Sequence, residues 1–368
     1  MRVAILSMQR VINYGSFMQA YALKELLKKN LSADDEVKFI DINKGEHICR
    51  YTVQNKITNY KKIIQKGIFF EKLKDRVFMK KLSEQFYNHF YSILDLKSEY
   101  NNETYDVAVI GSDEVFHFYQ NTAWGFTTQL YGDVKNANRV FSYAGSFGAT
   151  TLEIIEKYAV KEKIKNALNK MKSVSVRDAN SYKIVSNLLD NKDIEIHLDP
   201  VLLYDFSKEV AESKDIHGDG DYIIVYSYTG RICNTKEIES IQNFARSKKL
   251  KIYTIFSRYP WADKTVVPET PFQVLKWFER AQYVVSDTFH GSIFSIITHI
   301  KFCTLIRKSN YEKISSLLER FNLKNQMLFD SEQLQNTIER EIDWNYIDSI
   351  RVLELDRTMK YIRENLYE

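Results

Sequence analysis

Cysteine is scarce in this chain and poorly placed for crosslinking. The 368 residues contain three, Cys49, Cys233 and Cys303. They are odd in number and far apart, so neither a disulfide framework nor a zinc spacing follows, and a reducing, cytoplasmic setting is expected. No run reaches the roughly 18 apolar residues that cross a bilayer. The start, Met1-Arg2-Val3-Ala4-Ile5-Leu6-Ser7, turns polar too soon for a signal peptide. Charge of one sign is also missing: 52 Lys and Arg stand against 48 Asp and Glu, a net +4. That near balance argues against nucleic-acid binding, which needs a concentrated basic face. There is no GxxxxGK[ST] for a P-loop and no GxGxxG after the first strand for a dinucleotide. HExxH, Cys/His clusters for a metal and a GxSxG elbow are missing too. No metal and no cofactor are expected.

The composition favours packed cores. Hydrophobic residues make up 44% and aromatics 14%, and the length suits two domains. One stretch departs from the even charge. Residues 56–81 carry Lys56, Lys61, Lys62, Lys66, Lys72, Lys74, Arg76, Lys80 and Lys81, interleaved with apolar side chains such as Phe70, Leu73 and Val77. The commoner reading is a solvated helix face docked on its own domain. The alternative is peripheral contact with the inner membrane surface.

Strands and helices alternate along the chain. Strands are expected at 3–6, 36–42, 107–110, 140–144, 173–176 and 195–198. Helices are expected at 17–29, where Ser16 and Gln19 form a capping box, at 152–171 and at 179–189. Residues 56–100 read as a helical insertion. The charged stretch 205–221 marks a boundary, with Gly218 and Gly220 inside it. Beyond it a second series begins: strands at 222–226, 252–256, 283–285 and 302–306, helices at 235–248, 272–280, 291–299 and 311–321, and a helical tail at 345–366. The fold class expected is α/β: two doubly wound, Rossmann-like domains, 1–205 and 206–368, facing a cleft.

The expected strands end in small, polar or ionisable residues: Asn13 and Gly15, Gly111-Ser112-Asp113, Gly145-Ser146-Phe147-Gly148, Arg177-Asp178, and Asp287 to Ser292. In a doubly wound sheet such turns gather at one edge, where ligands bind. His290 falls between a strand and a helix start, a place suited to acid–base work beside an anion. Its structural alternative is a capping residue. Arg177 can fork onto a carboxylate or phosphate, or pair with Asp178 or another local acid. Asp113 with Glu114 could supply a base, or Asp113 is a helix cap. Asp199-Pro200 reads as a structural turn.

In this order, the motifs are similar to those of the polysaccharide pyruvyl transferase family. The resemblance runs through Asn13-Tyr14-Gly15-Ser16-Phe17-Met18-Gln19, Tyr105 to Asp113, Ser142 to Gly148, Val174 to Asp178, Leu198 to Leu203 and Asp287 to Ser292. It implies a fold like the GT-B glycosyltransferases, with an acceptor-side first domain and a donor-side second. It implies phosphoenolpyruvate as donor and co-substrate, and a sugar hydroxyl pair as acceptor, lipid-linked oligosaccharides included. The product implied is a cyclic pyruvate ketal in a capsular or surface polysaccharide. His290 and Arg177 match the family's catalytic and donor-binding pair; beside them Asp113 is a candidate base for the acceptor hydroxyl. Asn13, Gly15, Gln19, Gly111, Ser112, Ser146, Thr288, Phe289, Gly291 and Ser292 become candidate substrate contacts. Lys308, Asn310 and Lys313 lie in a loop that is often basic in the family. Some members carry an arginine two residues before the histidine, where this chain has Thr288. A nucleotide-sugar glycosyltransferase of the same fold and a non-catalytic carbohydrate-binding scaffold are the alternative functions.

Overall fold

The structure is a computed structural model that describes residues 1–48, 66–120, 122–190, 193–218 and 220–368. Cys49 and the basic residues 56–65 lie outside the described residues.

The first domain opens with β1 (Arg2–Leu6), α1 (Tyr14–Lys28) and β2 (Glu36–Phe39). The insertion follows: α2 (Lys66–Gln85), a π-helical turn at Phe86–Phe90 and a short α3 (Tyr91–Ile93). Then come β3 (Tyr105–Asp113), β4 (Ala137–Gly145), α4 (Leu152–Lys157), α5 (Lys161–Leu168), β5 (Val174–Val176), α6 (Ala179–Leu188) and β6 (Ile194–Ile196). The single helix expected over 152–171 is two pieces, because Ala159 takes a left-handed φ of 52° between them. After α7 (Ser207–Glu212) the second domain runs β7 (Tyr222–Tyr226), α8 (Thr235–Ser247), β8 (Lys251–Ile255), β9 (Lys264–Val266) and α9 (Gln273–Glu279). It continues through β10 (Tyr283–Ser286), α10 (Phe289–Ile297), β11 (Phe302–Leu305), α11 (Tyr311–Arg320), β12 (Met327–Leu328), α12 (Leu334–Ile338) and α13 (Trp344–Tyr367).

Both sheets have six strands, ordered β2-β1-β3-β4-β5-β6 and β12-β11-β10-β7-β8-β9. The pairings within them are parallel. The strands read as near-continuous apolar runs because helices cover both faces. Each order reverses direction once, between β1 and β3 in the first sheet and between β7 and β10 in the second. At such switch points the flanking loops diverge and leave a crevice at the strands' C-terminal edge.

Helix α1 joins the two domains. Its rings face the second domain, with Tyr14 against Phe256 and Phe17 against Phe272, each pair at 6.0 Å between centroids. One apolar core therefore runs through both domains. The chain's last helix crosses back. On α13 the Tyr361 hydroxyl donates to the Ser142 carbonyl at 2.8 Å, and the Leu366 carbonyl accepts from Arg139 at 3.1 Å. The division expected at 205–206 puts this helix with the second domain; its side chains pack on the first sheet.

Candidate functional site

A cavity of about 300 Å³ lies between the two switch points. The first domain contributes Met8, Val11, Ile12, Asn13 and Ser16 from the β1–α1 turn, Asp113 and Glu114 from the end of β3, and Arg177 from the end of β5. The second contributes Tyr228, Phe256, Phe289, His290 and Lys313.

Asn13 caps α1: its Oδ1 accepts from the Gly15 and Ser16 amides at 2.7 and 3.2 Å. The helix therefore begins three residues before the predicted Phe17. Ser16 lies inside the first turn and is no cap. Its freed hydroxyl donates to Asp113 Oδ2 at 2.9 Å. Asn13 Nδ2 donates to the Tyr228 hydroxyl at 3.2 Å, which ties the helix start to the second domain.

Arg177 is buried and anchored. Its Nη1 donates to Asp199 Oδ2 at 2.7 Å and to Asp113 Oδ1 at 3.3 Å. Its guanidinium lies 4.1 Å from the centroid of Phe289, across the domain boundary. Its Nε is buried with no hydrogen-bond partner among the described residues. Burial works against the charge, but Asp113, Asp199, Asp178 and Glu114 outweigh it and hold the arginine more firmly protonated than usual. The structural alternative for Arg177 was a pair with Asp178 or another local acid, and Asp113 and Asp199 take that place rather than Asp178. That carboxylate instead caps α6, accepting from the Ser181 amide at 2.8 Å.

Asp199, read from sequence as structural, proves to be the hub. Its Oδ2 takes Arg177 and lies 3.6 Å from His290 Nε2. That separation suits an ion pair with a protonated ring but is too long for a hydrogen bond. Burial would push the Asp199 carboxyl up; His290, Arg177 and the Val201 amide hold it below the ordinary carboxylate range. The signal for Asp199 was a strand-end aspartate, whose side chain reaches back beneath the neighbouring strand end.

His290 stands in the first turn of α10, which Thr288 caps by accepting from the Gly291 amide at 2.9 Å. Gly291 is required there, since a Cβ would lie 2.1 Å from Ser286 Oγ. The imidazole presses on the backbone of α1: a Cβ on Gly15 would lie 2.2 Å from its Cγ. Its Nε2 is buried without a hydrogen-bond partner among the described residues. At the opposite wall Lys313 of the second domain donates to Glu114 Oε1 at 2.7 Å, and His117 Nδ1 lies 3.0 Å from Glu114 Oε2. Burial opposes the charge of both members of the Glu114–Lys313 pair, yet their attraction leaves the carboxyl lowered and the ammonium raised.

The structure thus gathers Asn13, Asp113, Arg177, Phe289, His290 and Lys313 at the cavity and Gly15 against His290. Other sequence-predicted contacts stand behind its wall. Gln19 donates to Ser7 Oγ at 2.7 Å and accepts from Ser112 Oγ at 2.8 Å, so both are spent in a buried network below α1. Gly111 belongs to β3 itself. Ser146 donates to Asp178 at 2.5 Å, and Ser292 bonds Thr304 at 2.8 Å. Thr288 and Gly291 serve the α10 cap. Lys308 is exposed and does not line the cavity. Asn310 is buried and donates to the Asp287 carbonyl at 2.8 Å. Asp287 turns to Arg231, 3.1 Å from its Nε. Small strand-end residues signal a tight turn as readily as a ligand contact, and here most of them build the turn. Tyr228 and Phe256, which line the cavity, escaped the sequence reading because aromatics at strand ends look like core.

Among the described residues no cluster of His, Cys, Asp and Glu could hold a metal ion, and no helix is long and apolar enough to cross a membrane.

Among solved structures, the UDP-GlcNAc 2-epimerase of Methanocaldococcus jannaschii is similar over 98% of this chain and 100% of its own, with a TM-score of 0.50 at 12% identity. The Neisseria meningitidis UDP-GlcNAc 2-epimerase bound to UDP-GlcNAc is similar over 100% of this chain and 94% of its own, with a TM-score of 0.48 at 8% identity. At 12% identity the first of these likenesses speaks for the fold alone, in keeping with the two parallel, Rossmann-like sheets. Comparison with curated proteins gave no significant match. A family model described as polysaccharide pyruvyl transferase matches residues 13–309, from the cap of α1 to the loop after β11. That span takes in both switch points with Arg177, Asp199 and His290, and the chain belongs to the polysaccharide pyruvyl transferase family.

Proposed function

We propose that the protein transfers the pyruvyl group of phosphoenolpyruvate to two hydroxyls of a sugar, forming a cyclic ketal in a surface polysaccharide unit. The observation that carries this reading is a pair of buried nitrogens, Arg177 Nε and His290 Nε2, without hydrogen-bond partners among the described residues and at one cavity. Buried donors left unpaired cost about 1–3 kcal/mol each, so a ligand that satisfies them is favoured. Phosphoenolpyruvate offers a carboxylate and a phosphate on one carbon, which matches donors from two directions.

The reaction balances on the residues present. His290, as imidazolium, gives its proton to the donor's methylene carbon, and C2 becomes electron-poor. Asp199 stabilises the charged ring, and Arg177 holds the donor's anionic oxygens. The first sugar hydroxyl bonds to C2 while its proton passes to Asp113. The C2–O bond to phosphate then breaks, and phosphate leaves with the proton from Asp113. The second hydroxyl bonds to C2, closes the ring and returns its proton to His290. Of two hydroxyl protons, one ends on the new methyl group and one on phosphate. The steps use no metal and no nicotinamide.

The test is phosphate release from phosphoenolpyruvate over a panel of synthetic and lipid-linked galactosides, mannosides and hexosamines, with mass spectrometry of the sugar. Turnover with a product about 70 mass units heavier supports ketal transfer, and His290→Ala removes it while the protein stays folded. Normal turnover by His290→Ala refutes the role given to the ring. Absence of donor turnover, with thermal stabilisation by nucleoside diphosphates instead, shifts the assignment to a nucleotide-sugar glycosyltransferase.

A further inference from the structure

The transfer steps leave one ring of the cavity wall without a part. Tyr228 stands just beyond the end of β7, at the second switch point, and lines the cavity. A tyrosine next to an apolar strand ordinarily buries its ring; this residue is 37% exposed. It is nevertheless fixed. Its carbonyl accepts from the Tyr259 hydroxyl at 2.7 Å, and its own hydroxyl accepts from Asn13 Nδ2 at 3.2 Å. The Phe256 ring meets it nearly at a right angle, 5.6 Å between centroids. The Arg231 guanidinium lies 5.5 Å from the ring centroid. Arg231 is in turn placed by Asp287, 3.1 Å from its Nε, so the motif that carries His290 also reaches the cavity through this arginine.

A fixed, half-open ring is a stacking surface that gives up little entropy when a ligand lies on it. The face of an aromatic ring is electron-rich and attracts the C–H groups of a sugar, which carry partial positive charge. Groups suited to sugar hydroxyls stand near the rim. Asp113, Glu114 and Lys313 are close enough to act on the Tyr228 hydroxyl, and Asn13 and Gln120 line the same cavity. Asp113 also pairs with Arg177, and so links the ring to the residues given to the donor.

We propose that Tyr228 is the platform for the acceptor, with one face of a pyranose stacked on its ring and the reacting hydroxyls turned toward Asp113. Calling this sugar the acceptor rests on the transfer reading; the stacking requires only that a sugar binds.

The experiment therefore measures binding without turnover. Saturation-transfer NMR and calorimetry are run on the full chain with the methyl glycosides of galactose, mannose and N-acetylglucosamine, with and without phosphoenolpyruvate, and with UDP in a separate arm. Wild type should bind at least one glycoside and pass saturation most strongly to the C–H protons of one ring face. Tyr228→Ala should bind that glycoside at least ~10-fold more weakly and still bind phosphoenolpyruvate. Tyr228→Phe, which keeps the ring and gives up the bond to Asn13, should recover most of the glycoside affinity. A Tyr228→Phe variant as weak as Tyr228→Ala overturns the platform and leaves the residue a tie between the domains. Normal glycoside binding by Tyr228→Ala overturns it too, as does a wild type that binds none of the glycosides. UDP binding that depends on Tyr228, with no glycoside binding, overturns it in favour of a nucleotide base. Glycoside binding that depends on the ring, in a wild type that never binds phosphoenolpyruvate, supports the platform and removes the donor chemistry alone.

Discussion

Replacing Gly15 with alanine tests whether the position of the histidine ring matters. The added Cβ would lie 2.2 Å from His290 Cγ and 2.3 Å from Nδ1. Ordinary contact begins near 3.4 Å, so the ring must retreat by roughly 1 Å. Two stability effects oppose each other. Alanine favours the helix by about 1 kcal/mol over glycine, and overpacking costs about 1–3 kcal/mol. The net loss is therefore about 0–2 kcal/mol, a melting shift of a few degrees. Catalysis has no such compensation. A displacement of about 1 Å in a reacting group costs on the order of 100-fold, or about 2.7 kcal/mol of barrier. Gly15→Ala should thus keep its fold and lose about two orders of magnitude in donor turnover. The assay is phosphate release beside a thermal melt on the same sample. A folded variant with wild-type turnover would refute both the contact and the catalytic role of the ring.

Two further predictions concern buried charge. Asp199→Asn leaves Arg177 only the longer contact to Asp113 and removes the anion beside His290. A loss of about 3 kcal/mol and at least ~10-fold in turnover is expected, read by urea unfolding and phosphate release. Because the Asp199 carboxyl is held below its ordinary value, its share of stability is present above the unfolded pKa and fades as pH falls through the folded one. The gap between wild type and variant should therefore close only on strong acidification. His197 is buried, and burial, helped by Arg357 and Arg320, pushes its pKa down to about 3. The unfolded chain binds a proton at His197 below about pH 6.5 and the native state does not, so stability falls as pH drops from about 6.5 towards 3. Near pH 5 this term is about 2 kcal/mol. His197→Leu should weaken the acid dependence of the urea midpoint between pH 7 and 5, and an unchanged slope would remove His197 as its source.

Alternation of apolar runs with amphipathic segments made both sheets legible, because parallel strands buried on both faces leave a strong signal. The edge strands Lys264–Val266 and Met327–Leu328 left none; two or three residues are too few to show a period. His290, Arg177 and Asp113 could be read because a charged group at a strand end is unusual locally. Asp199 carries the same strand-end signal, but its place as a hub depends on two partners, one 22 residues earlier and one in the other domain. Gln19 and Ser112 misled for the reverse reason. They sit among candidate site residues in sequence, while α1 turns Gln19 and the end of β3 turns Ser112 into the interior, where they satisfy each other.

Helix α13 has a consequence for the order in which the protein is made. The Tyr361 ring stands 5.9 Å from that of Phe141 on β4, and its hydroxyl closes on Ser142. The first sheet is therefore finished by a segment that leaves the ribosome only after the strands of the second domain. Domains often fold in the order they emerge. Here the strands of the first sheet must hold an uncovered apolar face until α13 arrives, so the first domain is completed only once the strands of the second have been made.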